Sequence, residues 1–449
     1  MAQTSPPPGA ARGPFRAFLS FFQTSAAGGI VLLACAAVAL VWANSPLADA
    51  YFALWETYLT VGGGPLVIEK PLLLWINDGL MALFFFVVGL EIKREVLVGE
   101  LSNPRQAALA LAGAVGGMVV PAGLYLAVNI DDPLRVAGWG VPMATDIAFA
   151  LGVLALLGSR VPLALKVFLT ALAIVDDLGA VLVIALFYTD AIALGALGAA
   201  AGFFVVLVVL NRMGVQWTPI YALLGIALWV AMLKSGVHAT VAGVLVALTI
   251  PASRRIDAPG FLEEARALLA QFSEGLKPGR VAPTNEQREA VHALEQACEK
   301  VETPLQRLEH DLHGVVAFFV MPVFALANAG VALGGGGLVS DPAALGIILG
   351  LVVGKPLGVF GLAWLSVRLG LAQQPSDVTW SQLFGVSLLT GIGFTMSIFI
   401  ANLAYDSAAL LDSAKLGILL ASFVAGVVGY VLLRRSVPRP GPTVEGAAA

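Results

Sequence analysis

Of 449 residues, 59% are hydrophobic and only 12% charged, about half the charged share of a soluble protein. No soluble core encloses that much apolar side chain, so the chain reads as an integral membrane protein, and its net charge of −4 says less than where the charges fall. Two cysteines, Cys35 in an apolar run and Cys298 in a charged one, make neither a disulfide framework nor a zinc site, and no nucleic-acid signal is present.

Residues 1–16, with Pro6, Pro7 and Pro8 consecutive, are expected to form a disordered cytoplasmic start. Arg12 and Arg16 ahead of the apolar run 26–43 imitate a cleavable signal peptide. That run is long for such a role and many spans follow, so it reads as a retained first helix. Further apolar windows fall at 72–92, 106–128, 136–157, 163–187, 193–211, 218–233, 237–251, 314–332, 342–367, 382–403 and 413–433. That makes about 12 transmembrane helices, the seventh and eighth short and separated by 234–236.

Residues 45–70, with Gly62 to Gly64 and alternating Tyr51, Trp55, Tyr58 and Val61, read as an outer loop or hairpin. Residues 253–311 hold 19 of the 54 charged residues and form the one substantial soluble segment, a cytoplasmic insertion between spans 8 and 9. Within it, Thr284 and Gln287 are placed to cap a helix running to about Lys300. The tail 436–449, with Pro438, Pro440 and Pro442, is expected to be disordered, leaving 17–435 as a single transmembrane domain.

Basic residues orient the spans. With a cytoplasmic N-terminus, inner connections hold Lys93, Arg94, Arg105, Arg160, Arg212, Arg254, Arg255, Arg368, Arg434 and Arg435. Outer ones hold only Lys70, Arg135, Lys234 and Lys415, with the acids Asp131, Asp132, Asp406 and Asp412. The bias survives every crossing and puts both termini inside.

Four charges interrupt the apolar runs. Asp176 and Asp177 stand together near the middle of 162–188, Asp146 mid-way along 136–156 and Lys355 mid-way along 341–370. Each costs at least a few kcal/mol at that depth. A lone pair can simply pin two helices, but three acids and a base at one level point to an ion pathway. Neighbouring helix residues point about 100° apart, so Asp176 and Asp177 cannot share a face. One can line an aqueous cavity while the other reaches an adjacent helix, where Lys355 is the natural partner of Asp176. Burial disfavours both charges and pairing favours both, so a cation or a proton can break such a pair. Sodium, a hard cation, takes oxygen ligands. Asp177 can give carboxylate oxygens, and Thr145 with the carbonyls of an unwound 144–146 turn can give neutral ones. One carboxylate that holds either a proton or a metal ion, combined with alternating access, suffices for exchange.

Spans at 106–187 and at 342–433 form two triples, each with an interrupted middle member: Pro142-Met-Ala-Thr-Asp146 and Thr390-Gly-Ile-Gly-Phe-Thr395. These read either as two broken, crossing helices (spans 4 and 11) or as glycine-mediated packing. Broken helices leave half-helix ends, which an acid (Asp146) and a base (Lys355) would neutralise. Asp146 also admits a reading as a long-range attractor of cations. Asp78 suits an outer vestibule or a helix cap. Glu91, Arg94 and Glu95 close the second span, and Glu309, His310 and His313 open the ninth, as a pH-sensing cluster or a solvated helix end. The two histidines lack the further ligands that zinc requires. His238 sits at an outer helix start, as a packing residue or a sensor.

V-P-M-A-T-D-I-A-F-A-L-G (141–152), L-A-I-V-D-D-L-G-A (172–180), K-S-G-V-H-A-T (234–240), G-K-P-L-G (354–358) and G-I-G-F-T-M-S-I-F (391–399) resemble the NhaA family of bacterial sodium/proton antiporters, over about 20–435. The resemblance implies inverted-topology repeats in spans 3–5 and 10–12. It implies electrogenic exchange, more protons entering than Na+ or Li+ leaving, with no cofactor beyond the transported ions. It makes Asp176 and Asp177 the ion and proton carriers, with Thr145 beside them at the Na+ or Li+ site, and Lys355 and Asp146 the charges at the helix crossing. It assigns Glu91, Arg94, Glu95, Arg307, Glu309, His310 and His313 to a cytoplasmic pH-response region and His238 to pH response at the outer side. It implies a homodimer in the lipid of the bacterial inner membrane, formed partly through the outer loop. Two features depart from the family pattern: 253–303 is much longer than expected, and Gln306 precedes Arg307 where a lysine is expected. An intramembrane aspartyl protease, an ion channel and a sodium-driven solute symporter are the rival readings; Tyr405-Asp406 mimics half of the protease signature, but no Gly-x-Gly-Asp comes after it.

Overall fold

The computed structural model describes residues 13–63, 67–189, 192–253, 258–274, 284–333 and 341–437. Helices dominate, because a backbone in hydrocarbon must satisfy its own hydrogen bonds. Helix α1 (Gly13–Ala43) is succeeded by α2 (Ala48–Glu56), bent from it by 113°. It begins at Gly13, inside the start expected to lack structure; residues 1–12 of that expectation lie outside the described residues. Strands β1 (Tyr58–Val61) and β2 (Ile68–Pro71) then pair antiparallel, Tyr58 opposite Pro71 and Val61 opposite Ile68, so the connection from α2 to the next helix contains a hairpin.

Next come the long helices α3 (Leu72–Val98), α4 (Pro104–Asn129), the bent pair α5 (Pro133–Met143) and α6 (Ile147–Ala155), α7 (Leu163–Phe187) and α8 (Leu194–Arg212). After them the chain forms α9 (Thr218–Leu233) and the nine-residue α10 (Val241–Thr249). Beyond the insertion lie α13 (Pro304–Asn328), α14 (Pro342–Arg368), the bent pair α15 (Trp380–Leu389) and α16 (Phe394–Ala404), and α17 (Ala408–Ser436). Among the described residues seven helices are long and apolar enough to cross a membrane, and ten spans result if each bent pair counts as one. This is an all-α membrane protein. Of the tail expected to be disordered, Ser436 still closes α17, and 438–449 lie outside the described residues.

The insertion folds as two helices, α11 (Ala258–Glu274) and α12 (Asn285–Val301), packed on each other. Thr284 and Gln287 form the expected capping box: the Gln287 N–H donates to Thr284 Oγ1 (3.2 Å) and the Thr284 N–H to Gln287 Oε1 (2.9 Å).

Small residues place the centre. Helices α4 and α14 cross where Gly116 meets Gly358, with no room for a Cβ at either. Lys355, one turn before Gly358, is thereby held over Gly117 of α4. Single π-turns at Ile76–Leu80, Val316–Val320 and Gly350–Gly354 interrupt α3, α13 and α14, the last directly before Lys355. Each inserts a residue into the helical repeat and rotates the turns beyond it, a feature often met at functional sites.

Candidate functional site

Between α5 and α6 the chain runs extended through Ala144 and Asp146, and between α15 and α16 it opens at Thr390–Gly393; the two pairs bend by 44° and 46°. Pro142 and the glycines Gly391 and Gly393 supply the local reason, since neither residue type supports a helix interior. The two breaks are stitched together. The Asp146 N–H donates to the Ile392 carbonyl (2.7 Å), Thr145 Oγ1 to the Thr390 carbonyl (3.0 Å), and Ser397 Oγ to the Val141 carbonyl (2.8 Å).

Asp146 caps α6, accepting from the Phe149 N–H (2.9 Å) on Oδ1. Its Oδ2 accepts from the N–H (3.2 Å) and hydroxyl (2.5 Å) of Thr395, at the start of α16. The carboxylate thus lies between the positive ends of two half-helices. On the other side, Lys355 Nζ donates to the Met143 carbonyl at the negative end of α5 and to Asp176 Oδ2 (2.6 Å). Asp146, Asp176, Asp177, Lys355 and Thr145 are all at most 2% exposed.

Asp176 and Asp177 point apart, as adjacent helical residues must. Asp176 binds Lys355, whereas among the described residues Asp177 makes no ion pair, and Oδ1 of each is buried without a hydrogen-bond partner there. That leaves two carboxyl oxygens with unused acceptor capacity, Asp176 beside the Thr145 turn and Asp177 next to it on α7, an arrangement suited to a proton or a small hard cation. Among the described residues no group of three or more His, Cys, Asp or Glu side chains could hold a metal ion, so neutral oxygens would have to complete any shell.

The other expected residues fall into three places. Asp78 lies in the π-turn of α3 and pairs with Lys70 of the hairpin (2.7 Å). Glu91, Arg94, Glu95, Glu309 and His313 come together: Arg94 bridges Glu95 (3.0 Å) and Glu309 (3.1 Å), and His313 Nδ1 stands 3.8 Å from Glu91. His310, on the same helix, is exposed, and Arg307 is half-buried one turn earlier. Gln306 completes a capping box with Thr303 at the start of α13, which gives it a structural use where a lysine was expected. His238 Nε2 meets the Tyr188 carbonyl in the turn before α10.

Several polar contacts escaped the reading of the sequence. Thr395 and Ser397 join the two breaks. Buried Asn77 and Asn328 and half-buried Asn402 form an amide cluster across α3, α13 and α16, with Asn328 Oδ1 accepting from Asn402 (2.8 Å) and Asn77 (3.3 Å). Tyr125 and Tyr405 meet hydroxyl to hydroxyl at 2.5 Å over Gly138. Their only signal was a neutral polar side chain within an apolar run.

The family model for Na+/H+ antiporter 1 matches residues 19–433. A relative from Oleidesulfovibrio alaskensis, named Na(+)/H(+) antiporter NhaA, is 54% identical over 95% of this chain and 96% of its own. Proteins of the same name from Koribacter versatilis and Rhodospirillum rubrum are 51% and 48% identical, over 93% and 96% of this chain and 91% and 100% of theirs.

Proposed function

The chain belongs to the Na+/H+ antiporter 1 family, and from that premise we propose that its exchange runs through one shared pair of carboxylates, Asp176 and Asp177. It is a Na+/H+ antiporter and a multi-pass membrane protein. The observation that carries the mechanism is the pair of buried, unpartnered Oδ1 atoms beside the broken helices. A proton and a small cation compete for those oxygens, and occupancy by one excludes the other. A cation drawing on Asp176 releases Lys355, which is tied to both Asp176 and α5, so site occupancy and helix position become linked. Because two carboxylates serve one Na+ or Li+, more protons move inward than cations move outward, and exchange is electrogenic. Asp146 neutralises the half-helix starts, and Thr145 with the carbonyls of its turn supplies neutral oxygen ligands. No cofactor is needed besides the transported ions.

The same reading gives twelve spans, the ten long or bent ones together with α9 and α10. Spans 3–5 (α4, α5–α6, α7) and 10–12 (α14, α15–α16, α17) are then inverted repeats, supported by the matching bends in their middle members. Both termini face the cytoplasm of a bacterium whose inner membrane holds the protein as a homodimer, with the β1–β2 hairpin contributing to the interface. Asp78 lies at the outer vestibule. Glu91, Arg94, Glu95, Arg307, Glu309, His310 and His313 set the pH response from the cytoplasmic side and His238 from the outer side.

Everted membrane vesicles test the central claim. Asp176→Asn and Asp177→Asn should each abolish Na+-dependent dissipation of ΔpH at parental expression. Parental exchange by either variant would refute the shared pair.

A further inference from the structure

A hydroxyl inside a membrane helix ordinarily satisfies itself on a carbonyl three or four residues back. This protein keeps that habit inside helices at Thr249 to Val246, Ser366 to Ala363 and Ser387 to Leu383, and just past helix ends at Thr189 to Ala185 and Thr390 to Ser387. Thr170 does not. Its Oγ1 is buried with no hydrogen-bond partner, the one such hydroxyl among the described residues, and the residue is 8% exposed.

Its position gives the exception meaning. Thr170 lies seven residues before Asp177 on α7, two helical turns and about 10 Å along the axis, on nearly the same face. Phe168, Leu172 and Gly179 form the opposite face, against Gly113 and Met118 of α4. The stripe Lys166, Thr170, Ala173 and Asp177 is therefore turned away from α4, and all four residues are buried. Two unpartnered oxygens, Asp177 Oδ1 and Thr170 Oγ1, share this stripe. Helix α3 packs on α7, and its Glu91, near enough to act on the charge of Asp177, belongs to the cluster in which Glu309 Oε2 is also buried and unpartnered. Unpartnered oxygens thus lie at that cluster, at Thr170 and at Asp177.

We infer that Thr170 Oγ1 is a transit ligand for the alkali cation, a neutral oxygen that replaces one water of a partly hydrated Na+ or Li+ on its way to Asp177. The inference rests on the shared-carboxylate reading and adds a second binding point on its path. At about 10 Å the hydroxyl cannot touch an ion already held by Asp177, so it acts on entry and leaves the chemistry of the final site unaltered.

Thr170→Val keeps shape and removes the oxygen; Thr170→Ser keeps the oxygen and removes the methyl. In everted vesicles Thr170→Val should raise the KM for Na+ by about tenfold, the scale of one lost polar contact, with kcat within about twofold. Thr170→Ser should restore the parental KM. The melting temperature of purified Thr170→Val should equal or exceed the parent's, because an unsatisfied hydroxyl has been removed. An unchanged KM overturns the inference. So does a fall in kcat at constant KM, which would make the hydroxyl an anchor for proton-carrying water. A defect that serine does not rescue, or one accompanied by lower melting, would assign it to packing and overturn the inference equally. Asp177→Asn is the control: if it exchanges at the parental rate the carboxylate reading fails, whereas an inert Asp177→Asn beside an unaltered Thr170→Val ends the transit role alone.

Discussion

The side chain with most to lose at the centre is Lys355, fully buried and tied to Asp176 and to the Met143 carbonyl. Truncation leaves a carboxylate without its counter-charge in a dry site, so Lys355→Ala should destabilise the protein by about 3–5 kcal/mol, seen as lower melting in detergent. Adding Asp176→Asn should recover part of that loss, and strictly additive effects would argue against coupling. Asp146 calls for a graded test. Asn can still cap α6 with its one oxygen, so Asp146→Asn should keep the cap but lose the charge at the helix ends, up to ~2 kcal/mol, together with the bond from the Thr395 N–H, which its amide N–H cannot accept. Asp146→Ala should lose the cap and the bonds from Thr395 as well, and should melt lower than Asp146→Asn. These residues were legible in the sequence because an ionised group in an apolar run is costly enough to stand out. Thr170 and the amides Asn77, Asn328 and Asn402 were not, and nor was the bond from Thr395 to Asp146: a neutral polar side chain is cheap to bury once bonded, and sequence does not say which ones find partners. His310 was grouped by its neighbours on the chain, but the helix turns it outward from the cluster that holds His313 and Glu309.

Among the helices, the two interruptions were legible because Pro142, Gly391 and Gly393 break spans at matching places, and a charge or a hydroxyl lies just past each break. The close crossing of α4 and α14 was not, since the apolar runs hold many glycines and nothing local says which two meet. The π-turns were equally hidden, although the one at Gly350–Gly354 sets the direction in which Lys355 leaves α14. A Cβ at Gly358 would meet the Gly116 carbonyl, whereas one at Gly361, on the same helix, would meet nothing within 4 Å. Forcing the backbones apart should cost about 1–3 kcal/mol. It should also draw Lys355 from Asp176, so Gly358→Val should melt lower and show a raised KM for Na+, while Gly361→Val should match the parent in both. Equal behaviour of the two variants would mean that the crossing does not hold the ion pair.

On the scale of the whole molecule, the membrane class was readable from where charge is absent, and the charged insertion from where it gathers; the helical pair inside the insertion was half legible, through the Thr284 cap but not through any signal for α11. Helices α11 and α12 pack chiefly on each other, and their base is closed without them. The Leu305 N–H donates to the Pro251 carbonyl (3.2 Å), joining the two ends of the insertion, and Lys93 Nζ holds the last carbonyls of α10 at Leu248 (2.7 Å) and Ile250 (2.5 Å). Loop-closure entropy varies only slowly with length, so a short bridge across ends already in contact carries little penalty. Replacing residues 258–301 by about six Gly and Ser residues, an ordinary connection length, should leave Na+/H+ exchange within about twofold of the parent. The arrangement of Asp146, Asp176 and Lys355 depends on α4 to α7 and α14 to α17, none of which the replacement touches. A variant that folds and melts like the parent but no longer exchanges would give the helical pair a part in the transport cycle. A shift confined to the pH profile would instead make it a modulator of the Arg94–Glu309 cluster, which lies just beyond the residues it joins.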